Sequence, residues 1–148
     1  MYKRILVPVD GSPFSEAALH EATRLALAGG GSVTIAAVLL DFSSELPSVP
    51  KLEQASQHRL TEYLDRLERD VRDAGIDVKS AMRRGSPAPE ILSVAKEIDA
   101  DLVVMASHGV GAAGPGLPSY GLGGVTFKVL NQTHCPVLVV PIRSVGSK

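Results

Sequence analysis

The amino-acid sequence predicts an α/β fold, with one domain built on a doubly wound, five-stranded parallel sheet. Five short apolar runs alternate along the chain with four helical patterns, which is the order expected of strands joined by helical crossovers. The composition agrees, because 45% of the residues are hydrophobic but only 4% are aromatic, and an aliphatic core is usual for a helix-covered parallel sheet. At 148 residues the chain fits one domain and can bury a sizeable core.

The first strand and helix are the most sharply delimited. Ile5–Val9 is an unbroken aliphatic run, which predicts a strand buried on both faces. Ser12 is a suitable N-cap with Pro13 at the first helical position, and the run of glycines from Gly29 ends the helix. A second buried strand is predicted over Val33–Leu40, followed by a long connection from 41 to 50.

The later elements repeat this alternation. The helical pattern that begins at Leu52 ends where Gly75 would cap it. The sequence then predicts a short strand Val78–Met82 closed by Arg83 and Arg84, a helix Ala88–Glu97, a strand Leu102–Ala106, a short helix from Val125 and a last strand Val137–Pro141.

The stretch from Leu102 to Thr126 carries the strongest functional signal. An apolar strand leads through Ser107 and His108 into a glycine-rich connection and then into a helix N-terminus. At the carboxyl end of a parallel strand, such a junction presents backbone N–H groups and the positive end of a helix dipole to an anion, and a phosphate is the natural ligand. The alternative is a surface loop with no ligand. The glycines concerned are Gly109, Gly111, Gly114, Gly116, Gly121, Gly123 and Gly124.

Charge and cysteine content limit the partners and the compartment. The net charge of −1 provides no long-range attraction to nucleic acid or to an anionic membrane, so we expect small-molecule or protein partners. The single Cys135 cannot form an internal disulfide and suits a reducing compartment, which favours the cytoplasm. No apolar run has the length of a signal-peptide core or of a membrane span.

Three stretches together resemble the universal stress protein (UspA-like) family. They are Ile-Leu-Val-Pro-Val-Asp-Gly-Ser from Ile5, Asp-Leu-Val-Val-Met-Ala-Ser-His-Gly from Asp101, and His-Cys-Pro-Val-Leu-Val-Val-Pro from His134. The resemblance covers essentially the whole chain. It implies a Rossmann-like fold of the adenine nucleotide alpha hydrolase type with strand order 3-2-1-4-5, a domain over 1–142 and a polar C-terminal tail over 143–148.

The ATP-binding branch of that family has a glycine motif that this chain resembles with changes. The family pattern is Gly, two residues, Gly, nine residues, then Gly followed by Ser or Thr. Here Ala106 stands in the first position and Gly109 in the second, thirteen residues intervene, and Gly123-Gly124 closes the motif. The methyl group of Ala106 would crowd a nucleotide but need not block it, and Gly124 lacks a hydroxyl that Thr126 could replace. The four extra residues cost well under about 1 kcal/mol.

If ATP binds, alone or with Mg²⁺, the resemblance implies a role for each matching residue. The first strand tip would meet the adenine or ribose, the second strand would line the base, and the loop and last helix would hold the phosphates. Without a ligand, Asp10 would cap its own turn, His108 would be an ordinary loop histidine, and Val38 and Met105 would be core residues. The implied ligand-binding residues are Pro8, Val9, Asp10, Val38, Met105, Ala106, His108, Gly109, Gly123, Gly124, Val125 and Thr126.

Catalysis has little support in the sequence. There is no Gly-x-Gly-x-x-Gly after the first strand, no Gly-Lys-Ser/Thr, no nucleophile elbow and no metal-ligand spacing, so no catalytic or metal-binding residue is assigned. The leading hypothesis is an ATP-binding regulatory stress-response homodimer that acts on an unknown protein partner. The alternative is a nucleotide-free interaction module whose long glycine loop contacts a partner or another ligand. A third hypothesis is that the protein is a slow ATPase or phosphotransferase. The resemblance implies dimerisation through the last strand, Val137 to Ile142.

Overall fold

The computed structural model describes residues 1–40, 50–108 and 122–141. For residues 50–55 it describes the backbone only. Five strands and four helices alternate within these ranges. They are β1 (Arg4–Pro8), α1 (Pro13–Gly29), β2 (Ser32–Leu40), α2 (Pro50–Asp73), β3 (Val78–Gly85), α3 (Pro87–Glu97), β4 (Leu102–Ala106), α4 (Gly124–Gln132) and β5 (Val137–Val140). Among the described residues, no helix combines the length and the apolar character that a membrane span requires.

The strands form one parallel sheet in the order β3-β2-β1-β4-β5, which confirms the predicted architecture. The central strand β1 pairs with β2 on one side and with β4 on the other, where Ile5 is in register with Leu102. From β1 the chain builds the sheet outward through β2 and β3, and then returns to place β4 on the opposite side. The winding therefore reverses between β1 and β4, which is where open α/β sheets bind ligands.

Each face of the sheet has its own hydrophobic core. Ile5 and Val7 belong to a cluster with residues of α1 and α2, whereas Leu6 belongs to a cluster with residues of α3 and α4. All three side chains are fully buried, as are both faces of β4. Burial on both faces is the physical reason that these strands are continuous apolar runs without alternation.

Two groups of predicted boundaries need correction. The first lies away from the candidate site, where β2 begins at Ser32, α2 at Pro50 and α3 at Pro87, and β5 ends at Val140. β3 extends to Gly85 and does not close at Arg83, because Arg83 and Arg84 continue the ladder opposite Val38 and Leu39. β3 is a sheet edge, so its charged side chains can leave the sheet, and the Arg83 guanidinium pairs with the Glu97 carboxylate on α3.

The second correction concerns the ends of the elements around the candidate site. α4 begins at Gly124, one residue before the predicted start, with Gly123 as its N-cap, whereas β1 starts at Arg4 and ends at Pro8. The N-terminus of α1 is as predicted, since the Ser12 hydroxyl accepts a hydrogen bond from the Ser15 N–H at 3.2 Å. All but the last residue of the predicted connection 41–50, most of the glycine-rich segment (109–121), and the tail 143–148 with Ile142 before it lie outside the described residues.

Candidate functional site

The candidate site lies at the carboxyl edge of the sheet, where β1 and β4 end side by side. Leu6 is in register with Val103, so the chain leaves both strands at the same edge. On the other side of β1, the Val9 N–H donates to the Ala36 carbonyl at 2.7 Å, which continues the pairing with β2 past Pro8. The topology therefore brings together the tips of β1 and β4, as the expected strand order 3-2-1-4-5 implies.

Asp10 is held in the turn that joins β1 to α1. Its Oδ1 accepts the Ser12 N–H at 2.9 Å, and its own N–H donates to the Ser15 hydroxyl at 3.3 Å. This is the turn-capping role expected of Asp10 in the absence of a ligand. The side chain of Asp10 is nevertheless exposed, whereas Pro8 and Val9 beneath it are buried. The carboxylate is thus both fixed in orientation and accessible from solvent.

The start of α4 is attached directly to the end of β4. The Gly123 N–H donates to the Ser107 carbonyl at 2.8 Å, and the buried Thr126 hydroxyl donates to the Ala106 carbonyl at 2.9 Å. The Thr126 proton is therefore used within the protein, so this hydroxyl does not take over the role of a phosphate donor. Instead, it fixes the position of the helix N-terminus beside the strand tip. Sequence reasoning did not identify the Ser107 carbonyl, because this contact joins residues on opposite sides of the glycine-rich segment.

Three backbone N–H groups remain available at this helix N-terminus. Those of Gly124, Val125 and Thr126 make no hydrogen bond within the described part of the chain, and the first intrahelical bond runs from the Phe127 N–H to the Gly123 carbonyl at 2.9 Å. These donors coincide with the positive end of the helix dipole. Together they are suited to an anion, and the helix N-terminus that carries them is attached to the end of β4, the strand beside β1 in the sheet.

The other two helices with described N-caps differ from α4 in this respect. In α1, Pro13 has no N–H, and the N–H of Ser15 is taken by the Ser12 hydroxyl. In α3, Pro87 and Pro89 remove two of the first three N–H groups. The capacity to bind an anion through backbone donors is therefore concentrated at α4, which is the helix that borders the reversal of winding.

The two glycines that begin α4 have different surroundings. A Cβ on Gly123 would lie 3.3 Å from the His108 Cα and 3.4 Å from the Ser107 oxygen, so a glycine allows the close approach of the two segments. A Cβ on Gly124 would meet no atom of the described residues within 4 Å. As far as the described residues are concerned, space for a ligand is therefore found at Gly124, where the family pattern has Ser or Thr.

The remaining predicted residues divide between the core and the site's edge. Met105 and Ala106 are buried, and both Met105 and Val38 pack in the core cluster beneath α3, as expected of core residues. His108 is partly buried, and its Nδ1 lies 3.1 Å from the Ser107 hydroxyl oxygen. Gly109 lies outside the described residues. Within the described ranges, no group of three or more His, Cys, Asp or Glu side chains could hold a metal ion.

Comparison with known proteins identifies the family. The model of the Universal stress protein family matches residues 1–141. The chain belongs to this family. Universal stress protein MJ0531 of Methanocaldococcus jannaschii is 33% identical over 145 residues, which are 95% of this chain and 82% of that relative. The solved structure of MJ0577, from the same organism, superposes with a TM-score of 0.80 at 30% identity and covers 97% of this universal stress protein and 99% of its own chain.

Two further solved structures of the family contain nucleotides. A universal stress protein in complex with cAMP superposes with a TM-score of 0.71 at 23% identity, over 94% of this chain and 97% of its own. The universal stress protein from Archaeoglobus fulgidus in complex with dAMP superposes with a TM-score of 0.68 at 21% identity, over 93% of this chain and 97% of its own. At these identities the likeness establishes the shared fold.

Proposed function

We propose that this universal stress protein binds an adenine nucleotide, ATP with or without Mg²⁺, at the edge of the sheet between β1 and β4. The observation that carries the proposal is the set of three N–H groups of Gly124, Val125 and Thr126, which have no partner within the described chain. They lie at a helix N-terminus that two hydrogen bonds attach to the tip of β4. Phosphate oxygens are the acceptors that such a group of donors binds best.

The rest of the nucleotide would extend from α4 toward β1 and β2. Asp10 is the accessible carboxylate at the tip of β1, and a carboxylate accepts hydrogen bonds from ribose hydroxyls or from an adenine amino group. Pro8, Val9 and Val38 would provide apolar contacts for the base, and Met105 and Ala106 would lie under the ribose and phosphates. His108 and Gly109 would begin the phosphate loop.

The nucleotide complexes within the family support this class of ligand. Both cAMP and dAMP combine an adenine base with a phosphate, and both are bound by proteins that share this fold. A triphosphate is the more specific part of the proposal. We also propose that binding regulates a protein partner without fast turnover, and that the protein acts in the cytoplasm, where the lone Cys135 stays reduced.

Substitutions at Gly124 test the proposal while leaving the fold intact. Gly124→Pro removes one N–H donor at the first helical position, where proline is well tolerated, and Gly123 already has the extended conformation that precedes proline (φ −61°, ψ 156°). A hydrogen bond to a charged group is worth about 1.5 to 3 kcal/mol, so we expect ATP to bind about 10- to 100-fold more weakly. Titration calorimetry with ATP and magnesium measures the affinity.

Two further variants at the same position serve as controls. Gly124→Ala adds a methyl group with no described atom within 4 Å and keeps the N–H, so its affinity should stay close to that of the wild type. Gly124→Ser adds a hydroxyl donor and should tighten binding by up to about 1 to 2 kcal/mol. Failure of the wild-type protein to bind millimolar ATP with magnesium would rule out the proposal, as would equal affinities of the proline and alanine variants.

A second candidate function, a dimerisation module, is favoured by the sheet edge at β5. Among the described strands β5 pairs with β4 alone, and its Leu138 is 37% exposed. An apolar edge strand is a ready template for pairing with the same strand of a second copy. Homodimerisation through Val137 to Ile142 is compatible with nucleotide binding, since the two surfaces are on different elements. Ile142 itself lies outside the described residues.

A further inference from the structure

The first turn of α1 contains a buried serine hydroxyl that contacts the backbone of Asp10. Ser15 is 5% exposed. Its Oγ accepts the Asp10 N–H at 3.3 Å and donates to the Ser12 carbonyl at 3.0 Å, so the hydroxyl acts both as an acceptor and as a donor. Because Ser15 is buried, water has little access to replace either hydrogen bond. This side chain therefore attaches Asp10, which precedes the helix, to the first turn of the helix.

Capping of α1 does not require the Ser15 hydroxyl. The N-cap is Ser12, whose own hydroxyl accepts the Ser15 N–H at 3.2 Å, and the Glu16 N–H donates to the Ser12 carbonyl at 3.3 Å. Both of these bonds come from backbone N–H groups and would remain if residue 15 were alanine, which has the highest helix propensity. The contact that alanine would lose outside the helix is the one with Asp10.

Asp10 is held through both its side chain and its backbone. The Ser12 N–H donates to the Asp10 Oδ1 at 2.9 Å, which orients the carboxylate, and the Ser15 hydroxyl accepts the Asp10 N–H, which holds the backbone. Between Asp10 and Ser12, Gly11 has a φ of +85°, a left-handed conformation that glycine adopts without strain. A carboxylate fixed in this way loses little conformational freedom when a ligand binds, and this favours affinity.

We propose that Ser15 is a positioning residue of the nucleotide site, which holds the backbone of Asp10 so that its carboxylate meets the nucleoside part of the ligand. The inference rests on the proposed function, in which Asp10 accepts hydrogen bonds from the ribose or the adenine. A carboxylate repels phosphate oxygens, so Asp10 favours the nucleoside, while the N–H groups of α4 bind the phosphates. Ser15 therefore contributes to the selection of a nucleotide over a polyphosphate that lacks a nucleoside.

The test compares Ser15→Ala with Ser32→Ala, a matched control at the opposite edge of the sheet. The Ser32 hydroxyl also donates to a backbone carbonyl, that of Lys3 at 3.1 Å, and Ser32 is the first residue of β2. Calorimetry in the presence of magnesium measures the binding of two ligands, ATP and inorganic tripolyphosphate. A residue that acts without touching the ligand changes affinity modestly, so we expect Ser15→Ala to weaken ATP binding about three- to tenfold.

Tripolyphosphate distinguishes positioning of Asp10 from general damage to the fold. Its affinity should change less than about twofold in Ser15→Ala, because it has no group for Asp10 to bind, and its retained binding also shows that the variant is folded. Ser32→Ala should bind both ligands as the wild type does. Gly124→Pro, in contrast, should weaken the binding of both ligands, because it removes a phosphate donor.

A double-mutant cycle tests whether Ser15 acts through Asp10. Asp10→Ala removes the carboxylate, so adding Ser15→Ala to it should change ATP affinity less than about twofold. A further loss as large as that in the wild-type background would overturn the inference. A parallel fall in the affinities for ATP and tripolyphosphate would also overturn it, since it would indicate a structural role.

The inference and the proposed function fail in different ways. Equal ATP affinity of the wild type and Ser15→Ala would overturn the inference and leave the proposed function standing. Absence of ATP binding by the wild type would overturn both.

Discussion

The Thr126 hydroxyl is the side-chain contact that sets the position of the α4 N-terminus. It donates to the Ala106 carbonyl at 2.9 Å, and Thr126 is 4% exposed. Thr126→Val has nearly the same shape but leaves that carbonyl without its donor, so we expect a loss of about 1 to 3 kcal/mol in the free energy of unfolding. Urea unfolding at neutral pH measures this change.

Thr61 provides the control for this substitution. Its hydroxyl also donates to a backbone carbonyl, that of Gln57 at 2.9 Å, but the residue is exposed on α2, where water can replace the hydrogen bond. Thr61→Val should therefore change the free energy of unfolding by less than about 0.5 kcal/mol. If the two valine variants were equally stable, the Thr126 hydrogen bond would not be what attaches α4 to β4.

Contacts within a few residues of each other were predictable from the sequence, and contacts across the glycine-rich segment were not. The Ser12 cap and the turn-capping role of Asp10 follow from local side-chain chemistry, and both are present in the structure. The bonds from Gly123 to Ser107 and from Thr126 to Ala106 join residues 16 and 20 positions apart. No periodic pattern relates such residues. The sequence therefore suggests the Thr126 hydroxyl as a phosphate donor, whereas in the structure this hydroxyl donates to the Ala106 carbonyl.

Burial of Tyr63, which lies on α2, is expected to make the free energy of unfolding sensitive to alkaline pH. Burial, followed by the carboxylates of Glu16 and Asp10, raises the pKa of Tyr63 to about 12, against a lowering effect of Arg66. In the unfolded chain a tyrosine ionises near pH 10, so between about pH 10 and about pH 12 the unfolded state releases a proton that the folded state retains. The stabilisation is fully present below pH 10, and it is lost as the pH rises through this window.

Thermal unfolding at about pH 9 and about pH 11.5 measures this sensitivity. The wild type should lose more stability between the two pH values than Tyr63→Phe, which has no phenol at this position. Tyr2→Phe should lose as much as the wild type, because Tyr2 is 41% exposed. The explanation fails if all three proteins show the same change between the two pH values.

The type and order of the strands and helices were predictable, because the hydrophobic pattern specifies them strongly. The end of β3 was not predictable in this way. β1 and β4 are buried on both faces, and their unbroken aliphatic runs indicate this directly. β3 lies at the sheet edge, where Arg83 and Arg84 can pair through their backbones while their side chains leave the sheet. The charged side chains of these two arginines therefore predicted an early end for β3, although its backbone pairing with β2 continues to Gly85.

For the whole molecule, the strand order was predicted from resemblance to a family, since periodicity identifies strands but not their neighbours. Five parallel strands could be arranged in several ways that all bury the same residues. The order β3-β2-β1-β4-β5 brings the tips of β1 and β4 together and leaves β5 as an edge. The same topology therefore produces both the proposed nucleotide site and the proposed dimer surface.

The backbone of β5 allows dimerisation to be tested without disturbing the sheet. The Pro136 carbonyl accepts from the Val103 N–H on β4, and the Val140 carbonyl accepts from the N–H of Ser107, which directly follows β4. Because backbone groups alternate in direction along a strand, the N–H of Val139 points away from β4, toward the free edge. Proline is tolerated on an edge strand when its missing N–H faces outward. Val139→Pro should therefore leave the sheet folded and remove one donor per copy from an edge-to-edge dimer.

Loss of two hydrogen bonds of about 1 kcal/mol each, one in each copy, should raise the dimer dissociation constant roughly 30-fold. Size-exclusion chromatography with light scattering over a dilution series measures the mass, and circular dichroism confirms that the variant is folded. Val139→Ala trims the same side chain but keeps the N–H, so it should dissociate far less than the proline variant. A wild type that is monomeric throughout the series, or a Val139→Pro variant that dissociates at the same concentration as the wild type, would show that copies of the chain do not pair through β5.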